Sequence, residues 1–88
     1  MLGLEIKTAR LRAGMRWQRN LADRVGSSLH HMSAVEQGKV VPGRDLLDRI
    51  ATECRVSPEV RAQWHAMREE FADRMRDLRG KVAGGLDE

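Results

Sequence analysis

The sequence predicts an all-α domain of five helices. Strict alternation of apolar and polar residues, which would indicate a half-buried strand, is absent from the 88 residues. Apolar residues recur instead three and four positions apart, as they do on one face of a helix. Glycine or proline separates one such segment from the next, at Gly14, Gly26 and Pro42 among others. These three observations together predict helices and no strand.

The first helix is predicted over residues 2–13. Its apolar face has helical spacing and consists of Leu2, Ile6, Ala9 and Ala13. Gly14 follows directly, and glycine commonly takes the left-handed conformation in which a helix ends. The helix therefore has both an apolar face to bury and a local stop.

The segments 18–25 and 29–37 predict two short helices joined by a tight turn. Their inward faces consist of Leu21, Ala22, Val25, Met32 and Val35. Gly26 breaks the pattern between them, and Ser28 can cap the second helix with its hydroxyl oxygen. Two helices joined by a short turn that contains glycine form the helix-turn-helix unit, whose second helix enters the DNA major groove.

A fourth helix is predicted over residues 44–54, after a loop over 38–43. Pro42 favours the loop because it disfavours helical backbone at the preceding residue, Val41. The inward side of this helix consists of Leu46, Leu47, Ile50, Ala51 and Cys54. One amphipathic helix therefore follows the helix-turn-helix unit.

The fifth helix is predicted over residues 58–80, with Ser57 as its cap and Pro58 at its first position. Its apolar stripe follows spacings of three and four and consists of Val60, Trp64, Met67, Phe71, Met75 and Leu78. We therefore divide the chain into a helix-turn-helix domain over 1–57, a long helix over 58–80 that docks and dimerises, and a frayed tail over 81–88.

The charge of the chain is unevenly distributed. Residues 1–44 hold eight Lys and Arg against three Asp and Glu, whereas residues 45–88 hold eight against ten. Thirteen of the sixteen basic residues are Arg, the residue best suited to forked contacts with phosphate and guanine. The basic half is the half with the helix-turn-helix unit, which favours a polyanionic partner.

Several functional classes are unsupported by the sequence. The single cysteine, Cys54, excludes an internal disulfide and fits a reducing cytoplasm. No apolar run approaches the ~18 residues of a membrane helix, and no signal-peptide pattern is present at the N-terminus.

His30 and His31 are adjacent on a helix and point about 100° apart, so they do not make a metal site. Neither a nucleophile–base pair nor a glycine-rich phosphate loop indicates an enzyme, and we expect no cofactor.

The sequence resembles the lambda-repressor-like helix-turn-helix regulators, also called the Xre or Cro/C1 type, over about residues 2–58. The residues that carry the resemblance are the first-helix pattern LGLEIKTARLRAG, then Gln18, Leu21-Ala22, Gly26, Ser28, Met32, Val35-Glu36, Gly38-Lys39, Pro42, Leu47, Ile50-Ala51 and Val56-Ser57-Pro58. The resemblance implies a compact five-helix bundle that binds double-stranded DNA.

The resemblance also implies roles for particular residues. Arg10 and Glu36 match an ion pair between the first helix and the end of the third. Leu29, His30 and Ala34 fall at base-reading positions, with His31 and Ser33 beside them. Gln18 falls near the DNA backbone, and Ser28 can offer its hydroxyl to a phosphate or a base. Lys39 and Arg44 flank the loop that runs along the backbone. Arg16 and Arg19 are further expected DNA-binding residues.

The sequence departs from the family pattern at three places. The turn before Gln18 is one residue longer than usual, and Trp17 stands where Ser or Thr normally caps the second helix. Arg55 stands where a left-handed Gly is common. The base-reading positions carry apolar and imidazole side chains rather than Gln, Arg or Asn. We therefore expect few direct hydrogen bonds to base edges. DNA shape is expected to contribute more to the sequence preference than usual.

The fifth helix leaves three alternatives open: docking on its own bundle, a dimer seam, or a surface for another protein. We favour the dimer, because apolar residues beyond the first turns would otherwise form an exposed patch. The expected seam consists of Trp64, Met67, Phe71, Met75 and Leu78.

The sequence thus predicts a cytoplasmic, sequence-specific transcriptional regulator, most simply a repressor, that associates with the nucleoid through DNA. It would act as a homodimer on a palindromic operator, with a recognition helix over about 28–37. The alternative is a protein-interaction adaptor, or an antitoxin, with the fifth helix as the partner surface. Duplex affinity distinguishes these, because an adaptor would bind DNA no better than its net charge dictates.

Overall fold

The computed structural model describes the backbone of residues 1–86 and the side chains of residues 1–78. Within the described residues it contains five helices and no strand, as predicted. The helices are α1 (Leu2–Arg12), α2 (Gln18–Val25), α3 (Leu29–Glu36), α4 (Arg44–Glu53) and α5 (Pro58–Leu86). No helix in this part of the chain is long and apolar enough to cross a bilayer.

The predicted caps and stops account for four of the helix ends among the described residues. Gly14 follows α1 at φ +86°, and Gly26 ends α2 in the left-handed conformation, where glycine has no side chain to strain. The Ser28 hydroxyl accepts a 3.0 Å bond from the backbone N–H of His31 and so caps α3. The Ser57 hydroxyl accepts a 3.2 Å bond from the N–H of Val60 in the same way.

Three predicted boundaries differ from the structure by a single residue. The helices α1, α3 and α4 end at Arg12, Glu36 and Glu53, each one position earlier than expected. In α1 the consequence is visible in the packing, because Ala13 lies outside the helix and is exposed rather than inward. Gln37 and Cys54 keep right-handed backbone angles after these ends, and their N–H groups still donate to the carbonyls of Ser33 and Ile50. A difference of one residue at a frayed helix end is of this kind.

The helix α5 continues to Leu86, beyond the predicted end at residue 80. A glycine inside a helix costs only about 1 kcal/mol relative to alanine, so Gly80 does not by itself stop the helix. Exposed pairs within the helix, Arg74 with Glu70 and Arg76 with Asp73, support the turns before it. Fraying of 81–88 stays a prediction, and residues 87 and 88 lie outside the described residues.

Two departures from the family pattern have the expected structural effect. Trp17 occupies the position before α2 in an extended conformation and makes no side-chain cap bond. Arg55 has φ +56°, the one non-glycine residue in the left-handed region among the described residues. Its side chain makes this conformation costlier than glycine would in the turn between α4 and α5.

The core lies between all five helices. Its buried apolar members are Ile6, Met15, Leu21, Ala22, Val25, Met32, Val35, Leu47, Ile50, Ala51, Cys54 and Trp64. Gly3 permits the closest helix contact, since a Cβ there would lie 2.5 Å from the carbonyl oxygens of Val35 and Glu36. The start of α1 therefore crosses directly over the end of α3, which fixes the orientation of α3.

Trp64 corrects the predicted dimer seam. Its side chain is 1% exposed and belongs to the core of its own chain, so it has no surface to offer a second copy. Met67 is partly buried against the same core. The seam prediction was wrong for Trp64 because the first turns of α5 dock on the bundle. The outer part of the predicted stripe remains accessible: Phe71 is half-buried, while Met75 and Leu78 are exposed.

Candidate nucleic-acid interface

The helix-turn-helix unit is held by its turn as well as by its apolar faces. The backbone N–H of Ser27 donates to the carbonyl of Ala22 at 2.9 Å, which closes the end of α2 before α3 begins. Met32 and Val35 point inward and are fully buried. Because these two residues fix the rotation of α3, the residues between them and before them are turned outward.

The outward side of α3 carries the predicted base-reading residues. Leu29 is 41% exposed and His30 is exposed, whereas His31, Ser33 and Ala34 are half-buried. The Ser33 hydroxyl accepts a 2.9 Å bond from the Gln37 amide, so part of its hydrogen-bonding capacity is used. The start of α3 therefore offers the exposed apolar side chain of Leu29 and the exposed imidazole of His30. None of these side chains can form a forked hydrogen-bond pair with a base, and the expectation of limited direct readout stays a prediction.

A buried ion pair lies behind this surface. Arg10 Nε donates to Glu36 Oε2 at 2.8 Å, and both side chains are almost completely buried. Arg10 Nη1 also donates to the carbonyl oxygens of Met15 at 2.7 Å and Arg16 at 2.9 Å. The guanidinium is thus satisfied by three partners, which is the condition under which a buried charge is tolerated.

The same carboxylate also holds the start of α2. Gln18 Nε2 donates to Glu36 Oε1 at 3.2 Å. The Arg10–Glu36 pair therefore ties together α1, the chain before α2, the first residue of α2 and the end of α3. One consequence is that one amide proton of Gln18 is directed inward, which leaves its other amide proton to donate to an external acceptor.

The predicted DNA residues near the start of α2 come together around one groove, which we call the basic groove. It is lined by Lys7, Arg10, Arg16, Trp17, Gln18, Arg19, Asn20 and Leu29. Lys7, Arg16 and Arg19 have no carboxylate oxygen within 4 Å among the described side chains. Their charge is therefore available to an external anion, and the positive end of α2 adds to it.

Two predicted backbone contacts lie elsewhere. Lys39 is exposed and lies beside Val40, Val41 and Phe71, after the C-terminal end of α3, whereas the basic groove includes Leu29 at its start. Arg44 donates through Nε to Glu69 Oε1 at 3.0 Å, so its charge is directed toward α5. The hydrogen bond from Arg44 holds the pKa of Glu69 below its ordinary value. Arg44 thus has a carboxylate partner, unlike Arg16 and Arg19 among the described side chains.

Lys7, Trp17 and Asn20 line the basic groove but were not predicted as contact residues. The sequence contains a signal for Lys7, because it lies three residues before Arg10 on α1 and so shares a side of that helix. The signal for Trp17 is its appearance at a position that normally takes a capping hydroxyl. No local pattern indicates Asn20, whose place in the groove follows from how α2 packs.

The site has no metal-binding character within the described residues. No group of three or more His, Cys, Asp or Glu side chains is placed to hold an ion there. His30 and His31 differ in exposure and point in different directions. The chemistry that the site offers is therefore cationic contact, hydrogen bonding and apolar contact.

The amino-acid sequence matches a model of a known protein family. A family model described as a helix-turn-helix domain matches residues 1–64, which include α1 to α4 and the first turns of α5. The chain belongs to this helix-turn-helix domain family. Searches of curated proteins and of solved structures found no match. Membership is consistent with the lambda-repressor-like resemblance, and it indicates a DNA-binding regulator.

Proposed function

We propose that this protein is a sequence-specific regulator of transcription that binds double-stranded DNA as a homodimer. In this proposal α3 enters the major groove, residues 28–37 form the recognition segment, and the protein acts as a repressor in the cytoplasm. The observation that carries the proposal is the basic groove, whose lysine and arginine side chains lie beside the exposed start of α3. Family membership supports the DNA partner, and the groove supports its placement.

Affinity in this proposal comes mainly from the DNA backbone. Arg16 and Arg19 bind phosphates from the start of α2, and Lys39 binds one at the other end of α3. Ser28 uses its oxygen to cap α3, which leaves its hydroxyl proton to donate to a phosphate. The Gln18 amide adds a further uncharged contact. Each charged contact releases counterions, so affinity falls steeply as salt is raised.

Base reading in this proposal depends on Leu29, His30 and Ala34. A His30 ring nitrogen can accept from or donate to a purine edge, whereas Leu29 and Ala34 can contact a thymine methyl group. None of these makes a forked hydrogen-bond pair with a base. We therefore propose that groove shape and deformability supply part of the sequence preference.

The homodimer proposal rests on the outer part of α5. Met75 is 40% exposed and Leu78 is 53% exposed, and Phe71 and Met75 line a crevice with Val40 and Val41 of the α3–α4 loop. Lys39 and Arg76 flank the same crevice. A second copy would cover these exposed apolar side chains, which a soluble monomer normally keeps from forming a large patch. Two-fold pairing would also place two copies of α3 about one DNA turn apart, to match a palindromic operator.

The test is a selection from random duplexes, followed by titration of the recovered sequence at two salt concentrations. We expect a palindrome with half-sites about 10 base pairs apart and strong salt dependence. His30→Ala should relax the preference at one position of each half-site, while Arg74→Ala, which removes an arginine paired with Glu70, serves as the matched control. Absence of enrichment, with only weak binding to any duplex, would contradict the proposal and favour an adaptor or antitoxin that uses α5.

A further inference from the structure

Trp17 is the most exposed aromatic residue among the described side chains. Its side chain is 64% exposed, although tryptophan is a residue that folding normally buries to a large extent. It precedes α2 in an extended conformation, at φ −107° and ψ 138°. It makes no cap bond there, so a serine or threonine would serve the stability of α2 better. Neither packing nor capping therefore explains why an indole occupies this position.

We propose that Trp17 is a DNA-contacting residue whose indole packs against a deoxyribose at the edge of the major groove, while Arg16 binds the adjacent phosphate. This inference rests on the proposed function and adds a contact that the recognition helix does not provide. Its basis is the juxtaposition of an exposed ring, a guanidinium that lies over it and further basic side chains in one groove.

The charge around the ring identifies the partner as a polyanion. Lys7, Arg16 and Arg19 line the same groove and have no carboxylate partner among the described side chains. Within the described part of the chain no Asp or Glu lines the groove, and Arg10 is already neutralised by Glu36. A surface with this charge would repel a cationic partner and attract a phosphate backbone.

The position of Leu29 indicates that the polyanion in the groove is the duplex that α3 would read. Leu29 is at the start of α3 and also lines the basic groove with Trp17. A duplex seated on the outward side of α3 must therefore pass its backbone over the start of α2. The ring then meets the sugar surface, which is the least polar part of that backbone.

Arg16 packs against the Trp17 ring. Its guanidinium carbon lies 5.3 Å from the centre of the Trp17 ring, within the range of a cation–π interaction. A guanidinium held by a cation–π contact still has N–H groups available to a phosphate. The pair thus offers an apolar surface and phosphate-binding N–H groups side by side.

The two tryptophans allow a direct test on the full chain. Trp64 is 1% exposed, so acrylamide quenches the fluorescence of Trp17 selectively. We expect the duplex recovered by selection to reduce quenching of Trp17 by at least about threefold, because the ring becomes covered. Protection of Trp17 by vesicles of anionic phospholipid without protection by duplex would overturn the proposal in favour of a membrane surface.

Two substitutions at the same position test the contact by affinity. Trp17→Ser should weaken duplex binding by about tenfold, as expected for removal of an aromatic anchor, without lowering the melting temperature. Trp17→Phe retains a ring and should stay within about threefold of the wild-type affinity. As a control for charge, Arg16→Gln should weaken binding, whereas Arg12→Gln should not, since Arg12 lines a different groove with Cys54 and Arg55.

The two possible failures are distinguishable. If the wild-type protein binds no duplex, the proposed function fails and the role of Trp17 fails with it. If the wild-type protein binds its duplex while Trp17 remains as open to acrylamide as before, only the role of Trp17 is overturned. Equal affinity of Trp17→Ser and wild type would overturn it as well.

Discussion

The basic groove and the surface formed by α4 and α5 use the same residue types in opposite ways. In the groove, Lys7, Arg16 and Arg19 have no acidic partner among the described side chains. On the α4–α5 surface, Arg44 pairs with Glu69 and Arg61 with Asp48. An arginine is therefore available for DNA on one surface and serves to join helices on the other.

The α4–α5 surface is neutralised by contacts between distant residues. His65 Nε2 lies 2.6 Å from Asp48 Oδ1, and Arg68 Nε donates to the carbonyl of Pro42 at 2.9 Å. The hydrogen bond with His65 holds the pKa of Asp48 below its ordinary value. These contacts fasten the start of α5 to α4 and to the α3–α4 loop. The arginines that join α4 to α5 therefore have carboxylate partners, whereas the described basic side chains at the rim of the groove have none.

The largest expected effect comes from the ion pair behind the groove. Arg10→Ala leaves Glu36 buried without its partner and should lower the free energy of unfolding by about 3–5 kcal/mol. Chemical denaturation monitored by circular dichroism measures this. Arg16→Ala, an exposed substitution in the same groove, should change it by less than about 0.5 kcal/mol. An unchanged stability of Arg10→Ala would show that the pair is energetically unimportant.

The next effect concerns the outer part of α5. Met75→Arg combined with Leu78→Arg should convert the proposed homodimer to a monomer, because two charges on each copy would face each other across the seam. Sedimentation equilibrium measures the mass, and helical content should stay unchanged. Trp64→Arg is the contrasting variant and should unfold the chain, since that side chain is 1% exposed. A double variant that still sedimented as a dimer would place the interface elsewhere.

A smaller expected effect is on the salt dependence of DNA binding, which should differ between arginines of the basic groove and arginines of the α4–α5 surface. Arg16→Ala combined with Arg19→Ala should lower the slope of log affinity against log salt by about 0.9 for each phosphate that is no longer neutralised. Arg61→Ala removes the same type of charge from the α4–α5 surface and should leave the slope unchanged, because that arginine is paired with Asp48. Equal slopes for the Arg16→Ala/Arg19→Ala variant and the wild type would refute the role of the basic groove.

The smallest effect is the response of the α4–α5 surface to acid. The pKa values of Asp48 and Glu69 are both held below their ordinary values, so the two carboxylates stabilise the fold above about pH 4. That stabilisation disappears as pH falls through the lowered pKa values in the folded protein. Melting temperatures between pH 7 and pH 3 should fall less steeply for Asp48→Asn with Glu69→Gln than for the wild type. Both groups are exposed, so the difference should be small.

Much of the fold was predictable because its signals are local. Gly14, Gly26, Ser28 and Ser57 act on residues next to them, and each has the predicted effect. The spacing of apolar residues likewise predicted which side of each helix is buried. The groove was predictable in part: the sequence indicated Arg16, Gln18, Arg19 and Leu29, but not Trp17 or Asn20.

The prediction for Trp64 was wrong because one apolar stripe of α5 serves both the core and an exposed surface. Trp64 and Met75 lie on the same apolar stripe of α5, yet Trp64 is buried in the bundle and Met75 is exposed. Helical spacing specifies a side of a helix and does not specify what covers it. Arg44 was assigned to DNA from the family resemblance, and that assignment stays a prediction. Its sequence neighbours give no indication of its contact with Glu69 on another helix.

The sequence by itself determined the helices, their caps and the excess of basic residues in the first half of the chain. These follow from interactions between residues a few positions apart, whose geometry a helix or turn fixes without help from the rest of the fold. The tertiary structure decided which basic residues have carboxylate partners and how far along α5 the core extends. Those outcomes depend on residues such as Arg44 and Glu69, 25 positions apart, which meet only when α4 and α5 pack.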